Sequence, residues 1–269
     1  MSMKAKRETE IVIDKVEVGA CSFWIRGLSP MIYNAMSSKA RHQLLFPNKK
    51  TAAEKNQTMK HEPEEEFRNS VYRNKAEVDY DRGVRIAARA KKEIENSQYP
   101  TRLCFPAGGI KKALMSAALE VPGAKKAQIG RLVWVEGQDV PVYGVPELFM
   151  AVTRSSDIGR TPDVRTRAIL PEWCCCVTIK YVQPTLNATA LSRLLETAGL
   201  VIGLGDFRQE KGAGNYGQFS IVDEKDCADL IKSGGRKAQD AALASPVTYD
   251  VESEKLLTWF NEERIARGK

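Results

Sequence analysis

Apolar residues recur at close to every second position between Ile11 and Arg26, at Ile11, Ile13, Val16, Val18, Phe23 and Ile25. Alternation of this kind, built from β-branched and aromatic side chains, predicts one long strand or two consecutive ones, ended by Gly27 and Pro30. The period then changes. Met31 to Leu45 reads as a helix, with Ser29 as its N-cap and Pro30 at the first helical position. Phe46 to Glu66 is polar, rich in Lys and Glu and poor in aromatics, the pattern of a mobile insertion. A short helix is predicted over Glu64 to Val71. An amphipathic one follows over Arg82 to Asn96, with Ile86, Ala90 and Ile94 on one stripe.

Leu103 to Pro106 is a short apolar run that opens through Ala107-Gly108-Gly109 into a helix over Ile110 to Leu119. Gln128 to Val135 and Val140 to Tyr143 predict a hairpin around Glu136 to Asp139, and Leu148 to Thr153 and Trp173 to Val182 two further strands. Thr189 to Ala198 is a helix ending at Gly199 in the C-cap position. A glycine-rich loop spans Gly203 to Gly217 and leads into a strand over Gln218 to Val222. Beyond it the tail is mostly helical, most clearly over Glu254 to Arg267. There is no internal repeat. Strands and helices in this order indicate an α+β fold with a mainly antiparallel sheet.

Composition narrows the class. A chain of 269 residues suffices for a self-sustaining core in one or two domains. No stretch approaches the roughly 18 consecutive apolar residues of a membrane span. The opening MSMKAKRETE lacks the apolar core of a secretory signal, so the expected compartment is the cytoplasm, with the six cysteines reduced. Two histidines leave little for metal or multi-histidine chemistry, and neither His42 nor His61 has a catalytic partner nearby in sequence; both are expected to face solvent. No cofactor or metal is called for.

The net charge of +7 is unevenly spread, because the last 47 residues hold 10 acids against 8 bases. Val18 to Ala53 has no acid and five cations, Arg26 among them, and Arg102 to Arg131 has six cations against Glu120 alone. Thr153 to Leu170 is longer than a hairpin requires and carries Arg154, Arg160, Arg165 and Arg167. Several basic clusters beside an acidic tail fit a polyanion partner, since phosphate neutralisation needs many cations on one surface.

Two glycine segments sharpen this. Gly212-Ala-Gly214-Asn-Tyr216-Gly217 matches GxGxxG, but it leads into a strand and not a helix, so it does not read as a dinucleotide site. It suits instead a loop whose backbone approaches sugar-phosphate, with Arg208 and Lys211 as cations and Phe207 and Tyr216 as stacking surfaces. FPAGGIKKAL lacks P-loop spacing, which excludes ATP hydrolysis. Gly108 and Gly109 before a helix carrying Lys111 and Lys112 still form a candidate anion site. Cys174, Cys175 and Cys176 alternate across a strand and read as small core residues, not zinc ligands.

Three segments in order, CFPAGGIKKALMSAA, RTPDVRTRAILPEW and LGDFRQEKGAGNYGQFSI, resemble landmarks of the RAMP superfamily, specifically the backbone subunits of CRISPR effector complexes. They match its strand–turn–helix element, its Arg-rich thumb and its closing glycine loop with final strand. The chain also resembles uncharacterised phage proteins with a similar loop. The resemblance covers about residues 11 to 222. It implies a modified RRM (ferredoxin-like) palm with helices on one face over residues 1–222, an insertion at 46–100, a thumb hairpin at 153–170 and an acidic helical tail at 223–269. It further implies a non-catalytic ribonucleoprotein component of antiviral defence that binds a guide-type single strand, RNA before DNA, stacks on copies of itself in a helical array and meets other effector subunits. No membrane partner is expected. The loop departs from the family's compact form between Gly205 and Gly212, where it contains Asp206 and Glu210. No acid lies between Glu17 and Glu54 where target-cutting subunits carry an Asp. Two other readings stand beside this one: a phage or plasmid single-stranded DNA binding or recombination protein, and a guide-processing endoribonuclease.

Overall fold

A computed structural model describes residues 15–37, 44–45, 61–73, 99–154, 162–211 and 214–267. Its central strand is β1 (Glu17–Gly27), paired antiparallel along its length with β8 (Cys174–Gln183), from Glu17 opposite Gln183 to Arg26 opposite Cys174. The short β9 (Phe219–Val222) joins the other edge of β1 at its C-terminal end, and β4 (Val133–Val135) flanks β8, giving the order β4-β8-β1-β9. A second sheet has the order β2-β7-β6, from β2 (Met31–Ile32), β6 (Glu147–Arg154) and β7 (Pro162–Leu170). A third pairs β3 (Cys104–Pro106) with β5 (Asp139–Pro141). All the strand pairs within these sheets are antiparallel.

Seven α-helices complete the described fold: α1 (Pro63–Ser70), α2 (Ala107–Ala117), α3 (Lys126–Leu132), α4 (Ala188–Thr197), α5 (Ala228–Ser233), α6 (Arg236–Ala244) and α7 (Val251–Ala266). The protein is therefore α+β with antiparallel sheets. None of these helices is long and apolar enough to cross a membrane.

Strand alternation decides what each face buries. Ile25 and Cys175 enter the main core with α2 and α4, whereas their neighbours Trp24 and Cys174 face the opposite side. There Cys227 and Leu230 from the tail cover them, so helices lie on both sides of the sheet. Burial pushes the Cys174 and Cys175 thiols far up, which keeps them neutral packing groups.

The tail is stitched on by saturated polar side chains. Gln239 is fully buried; its Oε1 accepts from the amides of Arg102 and Leu103 at 2.7 and 2.9 Å. Its Nε2 donates to the carbonyls of Val142, Gly144 and Gly234 at 2.9, 3.0 and 2.8 Å. Ser253, also fully buried, accepts from the Met150 amide at 2.9 Å and so satisfies the outer edge of β6. Arg68 on α1 donates to the carbonyls of Leu243 and Ala244.

Several elements differ from the sequence expectation. Met31 starts no helix: Met31, Ile32 and Tyr33 are consecutive and fully buried, which an amphipathic surface helix cannot provide. β2 pairs instead with Leu170 and Ile169 of β7, and Ser29 accepts from the Gln218 amide in place of capping a helix. The expected 128–143 hairpin does not form. Gln128 lies in α3, and β4 and β5 pair with β8 and β3, not with each other. Helix α4 is not stopped by Gly199, whose missing side chain lets it lie against Phe219. It continues through a π-turn over Ala198–Ile202 and leaves at Gly203, where φ is +75°. The segments 46–60 and 82–96 lie outside the described residues.

Candidate nucleic-acid interface

The glycine loop folds tightly against β2. Gly203, Gly205 and Gly217 all take positive φ, and a Cβ on Gly205 or Gly217 would meet the backbone of Ile32 or Leu204. Phe207, a non-glycine residue, also has positive φ, at 49°. Its strained conformation is held on one side by the Asp206 carboxylate, which accepts the Phe207 amide at 3.1 Å. On the other it is held by Gly214, against whose Cα the Phe207 carbonyl packs.

Between this loop and the start of α2 lies a cavity of about 370 Å³. Lys112, Arg208 and Lys211 line it from two chain segments far apart in sequence, with Gly109 and the main chain of Gly203 to Gly205. Lys112 and Lys211 are exposed and make no ion pair among the described residues. Helix α2 begins without a side-chain cap; its first amide, from Ala107, donates to the Gln138 carbonyl. Tyr72, Phe105, Asn34 and Asp206 also line it.

Two further depressions adjoin it. One of about 510 Å³ shares Asn34 and is lined by Arg165, Arg167 and His61. The other, about 400 Å³, shares Arg165 and is lined by Phe149, Phe207 and Tyr216, with the Phe149 and Tyr216 rings 6.2 Å apart. Residues from the segment after β2, from α1, α2, the β6–β7 pair and the glycine loop thus converge on these hollows. Arg208 is already engaged: it donates to Glu210 at 2.7 and 3.1 Å and to the Gly205 carbonyl at 2.9 Å. Burial pushes the Glu210 carboxyl up, but hydrogen bonds from Ser116 (2.6 Å) and Arg208 bring it below the usual carboxylate range. Burial lowers Arg167, whose Nε has no hydrogen-bond partner among the described residues.

Not every expected residue joins the groove. Arg26 is on the far side of β1, where it donates to Asp229 at 3.2 and 3.1 Å and to the Asp226 carbonyl, and it lines none of these hollows. Its charge anchors the tail. Gly108 and Lys111 sit on α2 beside the first cavity but do not line it. Gly214 acts through its contact with Phe207. Arg160 and Gly212 lie outside the described residues.

His61 overturns the expectation of a solvent-facing ring. Its Nδ1 lies 3.0 Å from Glu66 and its Nε2 3.1 Å from Asp163, joining the start of α1 to the N-terminal end of β7. The hydrogen bond to Glu66 and the second carboxylate raise its pKa above 6.5, against the effect of burial. Glu66 was close in sequence; Asp163, 102 residues away, was not legible as a partner.

The chain is thus an antiparallel α+β protein with a basic groove beside a glycine loop and a two-stranded arm. The crystal structure of Cmr6 from Pyrococcus furiosus is similar at 12% identity and a TM-score of 0.32, covering 77% of this chain and 98% of that one. The cryo-EM structure of the Type III-B Cmr-beta bound to cognate target RNA matches at 12% identity and a TM-score of 0.31, over 75% of this chain and 59% of the matched chain. No protein-family model and no curated protein sequence matches the chain.

Proposed function

We propose that this protein binds single-stranded nucleic acid along its sugar-phosphate backbone, without altering it chemically, in the groove formed by the three adjoining hollows. One observation carries the reading: Lys112 and, about a hundred residues later in the chain, Arg208 and Lys211 line one cavity together with Gly109 and the Gly203 to Gly205 segment. The cations there suit phosphate oxygens, glycine lets a strand approach closely, Arg165 and Arg167 extend the positive track through Asn34's shared wall, and Phe207 and Tyr216 supply faces for bases. Copies would lie side by side along a strand, each β6–β7 arm meeting its neighbour, as the RAMP resemblance implies. The test is equilibrium binding of a labelled single strand over a salt series. A logarithmic slope near −0.7 per phosphate contact supports the reading, and a flat response overturns it. Sedimentation with strands of increasing length tests the array: stepwise larger complexes are expected, and a constant one-to-one complex removes it.

A second reading is favoured by His61. A histidine between two carboxylates, in a hollow with Arg165 and Arg167, has the parts of a general acid for strand cleavage. Incubation of labelled hairpin RNA with the wild type and with His61→Ala decides it: cleavage by the wild type alone supports the enzyme, and intact RNA removes it.

A further inference from the structure

An acid in an anion cavity calls for a ligand other than phosphate. Asp206 lines the same cavity as Lys112, Arg208 and Lys211, yet its carboxylate forms no ion pair with them or with any other described residue. Its position is not accidental slack. Its amide donates to the Ile32 carbonyl at 2.9 Å, Gly205 before it takes a φ of +87°, and its Oδ1 accepts the Phe207 amide at 3.1 Å. The Asp206 carboxylate is therefore held rigidly on the cavity wall with acceptor capacity to spare, since a carboxylate has about four lone-pair sites.

Resting on the reading of the groove as a strand-binding site, the geometry points to Asp206 as the residue that reads the sugar, accepting a hydrogen bond from a ribose 2′-hydroxyl. An ionised carboxylate only accepts. Phosphate offers it no proton, so the partner must be a donor on the sugar or the base. The sugar is covalently next to the phosphates that the lysine wall would hold, and in RNA it carries a donor that DNA lacks. Tyr72, the hydroxyl nearest in kind on the cavity wall, already donates to the Asn34 carbonyl at 3.0 Å and does not compete. Asp206 thus converts a cavity that would hold any polyphosphate into one that selects ribonucleotides. Against DNA, the lone pairs of Asp206 that the Phe207 amide does not use find no donor on the sugar.

The experiment compares oligouridylate, its deoxyuridine counterpart and its 2′-O-methyl counterpart on the wild-type protein, Asp206→Ala and Asp206→Asn, each variant first shown to melt as the wild type does. The wild type should bind the ribose strand about tenfold more tightly than either of the others, the size of one charge-assisted hydrogen bond. Asp206→Ala should lose that preference without changing the salt slope, and Asp206→Asn, which keeps a neutral acceptor, should retain part of it. Equal affinity of the wild type for all three strands overturns the sugar assignment while leaving strand binding intact. No salt-dependent binding to any of them overturns both. A preference for oligoguanylate over oligouridylate that is equal in ribo and deoxy forms assigns the carboxylate to a base edge and overturns the ribose reading.

Discussion

The seam of the tail and the groove are built from the same kinds of residue and use them in opposite ways. In the seam, Gln239 spends every donor and acceptor on main-chain partners, Ser253 bonds the Met150 main chain, and Arg68 donates to the Leu243 and Ala244 carbonyls. In the groove, Lys112, Lys211 and Arg165 make no ion pair among the described residues, and the buried Arg167 Nε has no hydrogen-bond partner among them. A buried polar group with all its bonds made is structural. Polar and charged groups left open around adjoining cavities are what a ligand would complete.

The largest expected effect breaks the seam. Gln239→Leu preserves volume but orphans the amides of Arg102 and Leu103 and the carbonyls of Val142 and Gly144, the Gly234 carbonyl keeping the Gly144 amide, so unfolding should lose about 3–5 kcal/mol in urea titrations. A loss within the error of the wild type would mean that water replaces the side chain and that the seam is not a staple. Next comes the groove. Lys112→Ala with Lys211→Ala should weaken binding of a single strand by tenfold or more and reduce the salt slope by about 1.4, with thermal stability unchanged. If stability falls in step with affinity, the two lysines belong with the seam and the contrast is lost.

His61 sits between the two regions, since it both stabilises and lines the groove. Its pKa is raised in the folded state, so its contribution is full below the ordinary value of 6.5 and disappears as pH rises through the elevated one. Glu66, brought below 4.5 although burial pushes it up, works the other way: its contribution is present above that value and lost as pH falls through the lowered one. Melting temperature should therefore decline from slightly acid to slightly alkaline pH, and His61→Gln should flatten that decline at a cost of about 1–2 kcal/mol at acid pH. An unchanged profile in the variant would remove the link between α1 and the arm. The smallest effect concerns Glu210, which ties up Arg208. Glu210→Gln should free the guanidinium and tighten strand binding by about two- to fivefold in the same titrations, and weaker binding would show that the carboxylate positions Arg208 instead of competing for it.

Much of this architecture was legible in local pattern. The alternation of β1, the CFPAGGIKKAL turn into α2, the helix over 188–197 and the strand after the glycine loop each follow from side-chain period and the conformational freedom of glycine, properties that act over a few residues. The cations of α2 and the loop were identifiable for the same reason: exposed lysines beside glycine mark themselves without reference to the rest of the chain.

What chain order could not decide was which distant segments meet. Met31 to Tyr33 reads as the start of a helix, and only the pairing of β2 with β7 and full burial make it a strand instead. Arg26 looks like Arg165 in sequence; Asp229, 203 residues away, makes the first an anchor, while the second opens onto two hollows. Period and glycine placement are local energies, so they survive in one dimension. Whether a charge is satisfied depends on the partners that folding brings within hydrogen-bond distance, and that quantity exists only in three.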